Sequence, residues 1–171
     1  MQLTGIQIIK AGDLDPIITN YRDDCVQQQG VDLRVKEIRQ VSEKASGYIP
    51  EFGKSIIPTT FALPLYDDKT YVLKPGYYEV EFEEGCAIPN DATLHIKTRS
   101  SLVRSGAQCY SGQFDAGFHT DNVGCFLHVI LPISIDKGAR IAQALVFQSA
   151  PVQNENLYNG QWQADKQRDK K

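Results

Sequence analysis

The 171-residue chain contains no Cys-x-x-Cys pair and no group of histidines. Cys25, Cys86, Cys109 and Cys125 are widely spaced, and His95, His119 and His128 stand alone. Zinc sites need ligands at short spacings, so a zinc centre has little support and the cysteines read as buried free thiols. Isolated histidines are more often packed or solvated than bound to metal. A long hydrophobic run is missing too: the longest, Val123 to Ile135, is interrupted by His128 and Pro132 and is too short to span a bilayer. The opening residues, MQLTGIQIIKAGDLDP, lack a basic leader followed by an apolar segment. A soluble, cytoplasmic protein with no membrane contact is therefore expected. Positive charge is not in excess, since 18 Lys and Arg face 21 Asp and Glu for a net charge of -3. That balance argues against a nucleic-acid-coating protein while leaving room for a small basic pocket. Internal repeats and low-complexity linkers are absent, and 42% hydrophobic residues suffice for one real core.

What is present is the punctuation of a β protein. IQIIKAGDL and GVDLRVKEI are short apolar runs. YVLKPGYYEVEFEEG sets a Lys-Pro-Gly turn before an alternation of Tyr78, Val80 and Phe82 with Glu79, Glu81 and Glu83. Such alternation gives a strand one dry face and one wet face. ATLHIKT, GCFLHVIL and ISIDKGARIAQALVFQ follow, separated by Gly, Pro, Asn or Asp. Short strands at this spacing predict an all-β barrel or sandwich rather than a parallel α/β sheet. One helix is expected within DLDPIITNYRDDCV, and SSLVRSG has room for a turn or two before Gly106 stops it. The segment NENLYNGQWQADKQRDKK is polar yet holds Tyr158 and Trp162, the only Trp. The division expected is a β domain over residues 1–152 and a mobile arm over 153–171. Aromatics in such an arm need a surface, whether the protein's own, a neighbouring subunit's, or the flat ring of a ligand.

Polar groups fall in several places where packing does not require them. Asp115, in FDAGFHTDNVGCFLHVIL, is a carboxylate between hydrophobic neighbours, costly to keep without a use. In TRSSLVRSG a strand ends in Arg99, Ser100 and Ser101 where a short helical turn begins. Hydroxyls and amides there, with the forked donors of Arg99 and Arg104, suit an anion such as phosphate, although Ser100 as a simple cap is the plainer alternative. Gln143 is the polar residue of IAQALVF and must either tie down backbone or read a ligand. Asp32, between Val31 and Leu33, is again a carboxylate in an apolar strand.

Taken in order, GVDLRV, TRSSLVRSG, GQFDAGF, KGARIAQALVF and YNGQW resemble the five motifs of the dUTPase and dCTP deaminase superfamily, from residue 30 to residue 163. RSSLVR and DAGF are more similar to the deaminase and archaeal-type dUTPase-like branch than to ordinary dUTPases. The resemblance implies a distorted β-barrel or jelly roll, the dUTPase-like β-clip. It also implies a homotrimer with sites at subunit interfaces and a C-terminal arm that closes over bound nucleotide. By the same resemblance Asp115 is the catalytic group, beside the deoxyribose and activating water. Arg99, Ser100, Ser101 and Gln143 reach the phosphates, and Arg104 joins the substrate-binding set. Phe118 packs under the sugar where a Tyr or Trp is usual, and uracil is read largely by backbone of the hairpin from Gly112 to Phe118. Tyr158 and Trp162 match aromatic positions of the arm, while Gln161 stands where a Lys is common. Asp32 matches the residue that holds Mg²⁺ through water.

The choice between branches turns on a proton. Deaminating cytosine requires a shuttle near the base, which the deaminase branch supplies with a Glu about ten residues past its motif Asp. Here NVGCFLHVI offers Gly124, Cys125, Phe126 and Leu127, with Asp121 too early and His128 too late. Pyrophosphate release asks for less: in-line attack on the α-phosphorus, Mg²⁺ to spread the triphosphate charge, and an Asp to orient or deprotonate water. The function expected is dUTP diphosphatase, giving dUMP and pyrophosphate. The alternative is a dCTP deaminase or a bifunctional enzyme, and the third option is a non-catalytic deoxynucleotide-binding protein. The segment QVSEKASGYIPEFGKSIIPTT, residues 40–60, has no role in any of these readings.

Overall fold

The computed structural model describes residues 1–10, 15–42 and 46–163. Its strands are β1 (Ile18–Thr19), β2 (Val26–Gln27), β3 (Gly30–Val41), β4 (Thr60–Ala62), β5 (Thr70–Leu73), β6 (Gly76–Phe82), β7 (Gly85–Ala87), β8 (Ala92–Thr98), β9 (Ala107–Tyr110), β10 (His119–Thr120), β11 (Gly124–Val129), β12 (Ile133–Asp136) and β13 (Arg140–Gln148). The helices are α1 (Gly5–Ile9) and α2 (Ser100–Arg104), each five residues long.

The alternating pattern of the sequence becomes the inner face of the main sheet. In β6, Tyr78, Val80 and Phe82 are buried while Glu79 and Glu81 face away. The strand order is β8-β13-β3-β6-β11-β9, with each neighbouring pair antiparallel. The two end strands meet through Thr98, whose hydroxyl donates to the Cys109 carbonyl (3.1 Å) and accepts from the Cys109 N–H (3.0 Å). The sheet is thereby nearly closed, a barrel-like form that covers its own edges. Leu33, Val35, Ile38, Val80, Phe82, Leu94, Leu127 and Val146 are wholly buried inside it. Each such side chain removed from water contributes roughly 1.5–3 kcal/mol. The four cysteines are free and buried, and burial pushes the Cys86 thiol up to about 12, which leaves it inert at neutral pH.

Two local expectations are corrected. IQIIKAGDL does not form a strand at its start but the short helix α1. Thr4 and Gln7 form a reciprocal capping box there, and only Ile8 of the isoleucines is buried while Ile6 stays exposed. DLDPIITNYRDDCV, whose Asp13 and Leu14 lie outside the described residues, holds no α-helix. Ile18 and Thr19 pair with Cys86 and Gly85, Asn20 turns at φ +55°, and a single 3-10 turn covers Asp23–Cys25. β-branched residues after Pro16 favour extended backbone, and a left-handed Asn ends any helical path. The helix expected in SSLVRSG is α2, which stops before Gly106 at φ +83°. No helix among the described residues is long and apolar enough to cross a membrane.

Residues 46–66 leave the barrel as an extension. Tyr48 and Ile56 exchange backbone hydrogen bonds of 2.9 and 2.8 Å, and β4 returns the chain to β3. Ile49 and Phe52 are each 84% exposed and Tyr66 82%.

Candidate active site

Asp115 opens a tight turn rather than ending a strand. Phe114 bridges to Leu94, and the Phe118 N–H donates back to the Asp115 carbonyl at 3.0 Å. Gly117 occupies the third position at φ +84°, the left-handed conformation that a type II turn requires there. From the other side, Gly117 N–H donates to Ile88 O and Ile88 N–H to Phe118 O. Ala116 and Phe118 are buried while Asp115 is exposed, so the turn roots itself in the core and presents its carboxylate outward. The Gln113 amide donates to Asp115 Oδ1 at 2.8 Å. That bond holds the exposed carboxylate through one of its oxygens.

The turn forms one wall of a cavity of about 1060 Å³, whose lining also includes Gly112, Phe118, Tyr158 and Trp162. The Phe118 ring lies tilted against Phe114, with centroids 5.4 Å apart, and meets the Tyr158 ring edge-on at 5.3 Å. Gly112 has no heavy atom within 4 Å of where a Cβ would stand, so its backbone is open to a ligand. On the opposite wall β11, from Gly124 to Val129, carries no carboxylate. The wall as a whole is not acid-free, because β6 runs beside β11 and sets Glu81 across from Gly124 and Glu79 across from Phe126. Both acids line the cavity together with Arg39 and Asp121. Glu81 is held by Lys36 at 2.8 Å, and Glu79 accepts from the Thr60 hydroxyl at 2.7 Å. These acids belong to the wet face of β6, and only the sheet pairing reveals where that face looks.

The other candidates gather elsewhere, around β3, β8 and β13. Asp32 on β3 lies opposite Gln143 on β13, whose amide donates to Asp32 Oδ1 at 3.2 Å. Arg99 Nε stands 3.3 Å and Arg140 Nη1 3.8 Å from Asp32 Oδ2. The Asp32 side chain is 0% exposed, and Oδ2 accepts no hydrogen bond despite these two neighbours. Burial pushes the Asp32 carboxyl above the usual range, opposed by the Arg99 and Arg140 guanidiniums and the Gln143 hydrogen bond. Arg99 also donates to Arg140 O and stands at the N-cap position of α2 without a side-chain capping bond, and Ser100 and Ser101 after it are exposed. Arg104 is exposed in the last turn of α2. Register breaks at Arg140/Ala142 and Val35/Glu37 flank this cluster, and such bulges re-aim neighbouring side chains.

Within one chain, then, Asp115, Gly112, Phe118, Tyr158 and Trp162 share the cavity, whereas Asp32, Arg99, Ser100, Ser101, Arg104 and Gln143 do not line it. The sequence reading missed Gln113, Arg140 and the buried pair of Arg34 with Glu84. Arg34 gives Glu84 its backbone N–H (2.7 Å) and its Nε (2.6 Å). Arg140 was visible in KGARIAQ as a cation three residues before Gln143, but a single Arg in a strand carries no signal by itself.

A nearly closed antiparallel barrel with a carboxylate-bearing turn over a cavity, and a separate cationic cluster, defines a β domain suited to a small anionic ligand. Residues 2–150 match the dCTP deaminase-like family, and the chain belongs to that family. It is 33% identical over 148 residues to a probable deoxyuridine 5'-triphosphate nucleotidohydrolase of Halobacterium salinarum, covering 84% of this chain and 86% of that one. It is 30% identical over 148 residues to a dCTP deaminase of Acidianus ambivalens, covering 86% and 83%. The solved 2'-deoxycytidine 5'-triphosphate deaminase of Agrobacterium tumefaciens shares the fold, with a TM-score of 0.60, 19% identity, and coverage of 85% of this chain and 47% of that one.

Proposed function

We propose that this protein is a dUTP diphosphatase that hydrolyses dUTP to dUMP and pyrophosphate. The observation that carries the reading is Asp115: an exposed carboxylate on a core-rooted turn, oriented by Gln113, at the edge of a cavity whose β11 wall lacks an acid. In the reaction, water attacks the α-phosphorus in line with the bridging oxygen to the β-phosphorus. Asp115 takes the proton from the attacking water, the new P–O bond forms, and the bridging P–O bond breaks with pyrophosphate leaving on its electron pair. Arg99, Ser100, Ser101, Arg104 and Gln143 hold the phosphates and take up the developing charge. Phe118 supports the sugar, the backbone from Gly112 to Phe118 reads uracil, and Tyr158 and Trp162 cover the base.

Among the described residues no group of three His, Cys, Asp or Glu could cage a cation, so Mg²⁺ would be held chiefly by phosphate oxygens and water. Asp32 Oδ2, a buried acceptor without a donor, fits the role of receiving a metal-bound water. When bound with the nucleotide, Mg²⁺ supplies charge neutralisation to the triphosphate.

The working form is a homotrimer in the cytoplasm. The separation of the Asp115 cavity from the Arg99–Asp32–Gln143 cluster supports this, because a site shared between subunits joins the turn of one to the cluster of another. Exposed Tyr77, Tyr110 and Phe126 on the β6–β11–β9 face, and the apolar extension of residues 46–66, supply surface that further copies of the chain would cover. Residues 1–152 form the β domain, and residues from 153 onward act as the arm, of which 164–171 lie outside the described residues. Deamination is the second reading, favoured by Glu79 and Glu81 on the cavity wall. The test is purified protein with Mg²⁺ and either dUTP or dCTP, with pyrophosphate and ammonia followed separately. Pyrophosphate from dUTP without ammonia from dCTP is expected; ammonia from dCTP would replace the reading with deamination, and neither product would leave a binding protein.

A further inference from the structure

The outward face of the Asp115 turn is not open. Tyr158 N–H donates to Ala116 O at 2.9 Å, and the Gln163 amide donates to Gly117 O at 2.8 Å while its oxygen accepts from His119 N–H at 3.1 Å. The polarity of that amide is forced, since a carbonyl on one side needs a donor and an N–H on the other needs an acceptor. Three backbone groups of residues 116–119 are thus satisfied by residues 158 and 163 of the same chain. Approach is close enough that a Cβ on Gly117 would stand 2.8 Å from Leu157 Cβ. Trp162 N–H in turn donates to the Tyr158 hydroxyl at 3.3 Å, so the segment closes on itself as well as on the turn.

We infer that residues 157–163 act in cis, strapped over their own chain's Asp115 turn, and that Gln163 is a positioning residue for Asp115. Side chains that only covered a base would need aromatic faces; a glutamine bridging two backbone groups two residues apart instead fixes the path of the loop. Ile88 holds the turn from the core side and Gln163 from the solvent side. With both in place, the turn that carries Asp115 into the cavity lining is held from two sides. Gln163 is not among the residues lining the cavity and acts through the loop.

The inference rests on the dUTP hydrolysis reading, and its test separates the two. In the full-length protein, Gln163→Ala is expected to lower kcat for dUTP about tenfold with KM little changed, the effect of losing paired hydrogen bonds at the loop. In an Asp115→Asn background the same substitution should change the residual rate hardly at all, because its effect passes through Asp115. Equal losses in both backgrounds would overturn the positioning role. Emission from Trp162, the only tryptophan, should shift red and become easier to quench in Gln163→Ala and remain as in the wild type in Asp115→Asn; an unmoved spectrum in Gln163→Ala would overturn the strap itself. Co-assembled chains, one Asp115→Asn and the other Tyr158→Ala with Gln163→Ala, should stay as inactive as their parents. Recovery of a substantial share of the wild-type rate would show that the strap acts between chains. A wild-type protein with no dUTP hydrolysis would end the functional reading while leaving the fluorescence result to judge the strap.

Discussion

Replacing Asp32 with Asn is expected to leave the protein as stable as the wild type at pH 7, or slightly more so, although the side chain is wholly buried. At an effective dielectric of about 20, a guanidinium 3.3–3.8 Å away attracts a carboxylate by roughly 4–5 kcal/mol. Burying the carboxylate costs several kcal/mol of hydration, and its raised pKa means that this cost outweighs the attraction of Arg99 and Arg140. Asn keeps an oxygen to accept from Gln143. The arginines left behind are each about a third exposed and retain their bonds to Arg140 O and Asp24 O, so no charge is stranded in the core. A net change within about 1 kcal/mol follows. The sign with pH is equally defined. An acid whose folded pKa lies above its unfolded value near 3.8 binds its proton more tightly in the native state. Wild-type stability therefore carries a term that falls as pH rises from about 3.8 through the folded pKa and is constant above it. The Asn variant lacks that term, so its stability relative to the wild type should climb over the same window and then level off. Urea unfolding from pH 3.5 to 8 at one fixed protein concentration measures both, the concentration being held because association of the proposed trimer would shift midpoints. A loss above about 3 kcal/mol at pH 7, the size seen when a buried pair is broken, or a difference that does not change in the acid range, would refute the reasoning.

The barrel was legible because its signals are local. Two-residue periodicity in β6, the Lys-Pro-Gly turn and the short spacing of β11, β12 and β13 each survive into the structure, since a strand with one dry face has a single way to meet a core. The start of the chain was misread for a local reason as well: IQII is apolar enough for a strand, and only the Thr4–Gln7 cap decides for helix. The candidate site offered itself in the sequence as separate residues and not as an arrangement. Asp115 and Asp32 stood out as acids among apolar neighbours, yet one is exposed on a turn and the other lies under two arginines. Nothing in the alternation of either segment distinguishes them. Which side Glu79 and Glu81 face depends on β6 pairing with β11 across some forty residues, and Gln163 gains its meaning only from a backbone it meets in space. Polar side chains that act on backbone leave no periodic trace in sequence, because their partners are groups that every residue possesses.

Asp115→Asn should lower dUTP hydrolysis by about 10²–10⁴, as expected for removal of a general base, while calorimetric binding of dUTP and the thermal midpoint stay near the wild type because the residue is exposed. An unchanged rate would remove Asp115 from the chemistry. Gly117→Ala should cost about 1–2 kcal/mol for a left-handed residue and also displace Leu157, giving red-shifted Trp162 emission; a normal spectrum would mean that the turn and the arm do not touch. Glu84→Gln provides the counterpart to Asp32→Asn, since both acids are 0% exposed but Glu84 faces an Arg34 side chain that is only 14% exposed. Losing the Glu84 charge strands that guanidinium and weakens the acceptor of the Arg34 N–H, so a destabilisation of about 3 kcal/mol in urea is expected, and a loss as small as that predicted for Asp32→Asn would show that exposure of the remaining partner does not decide what a buried acid is worth.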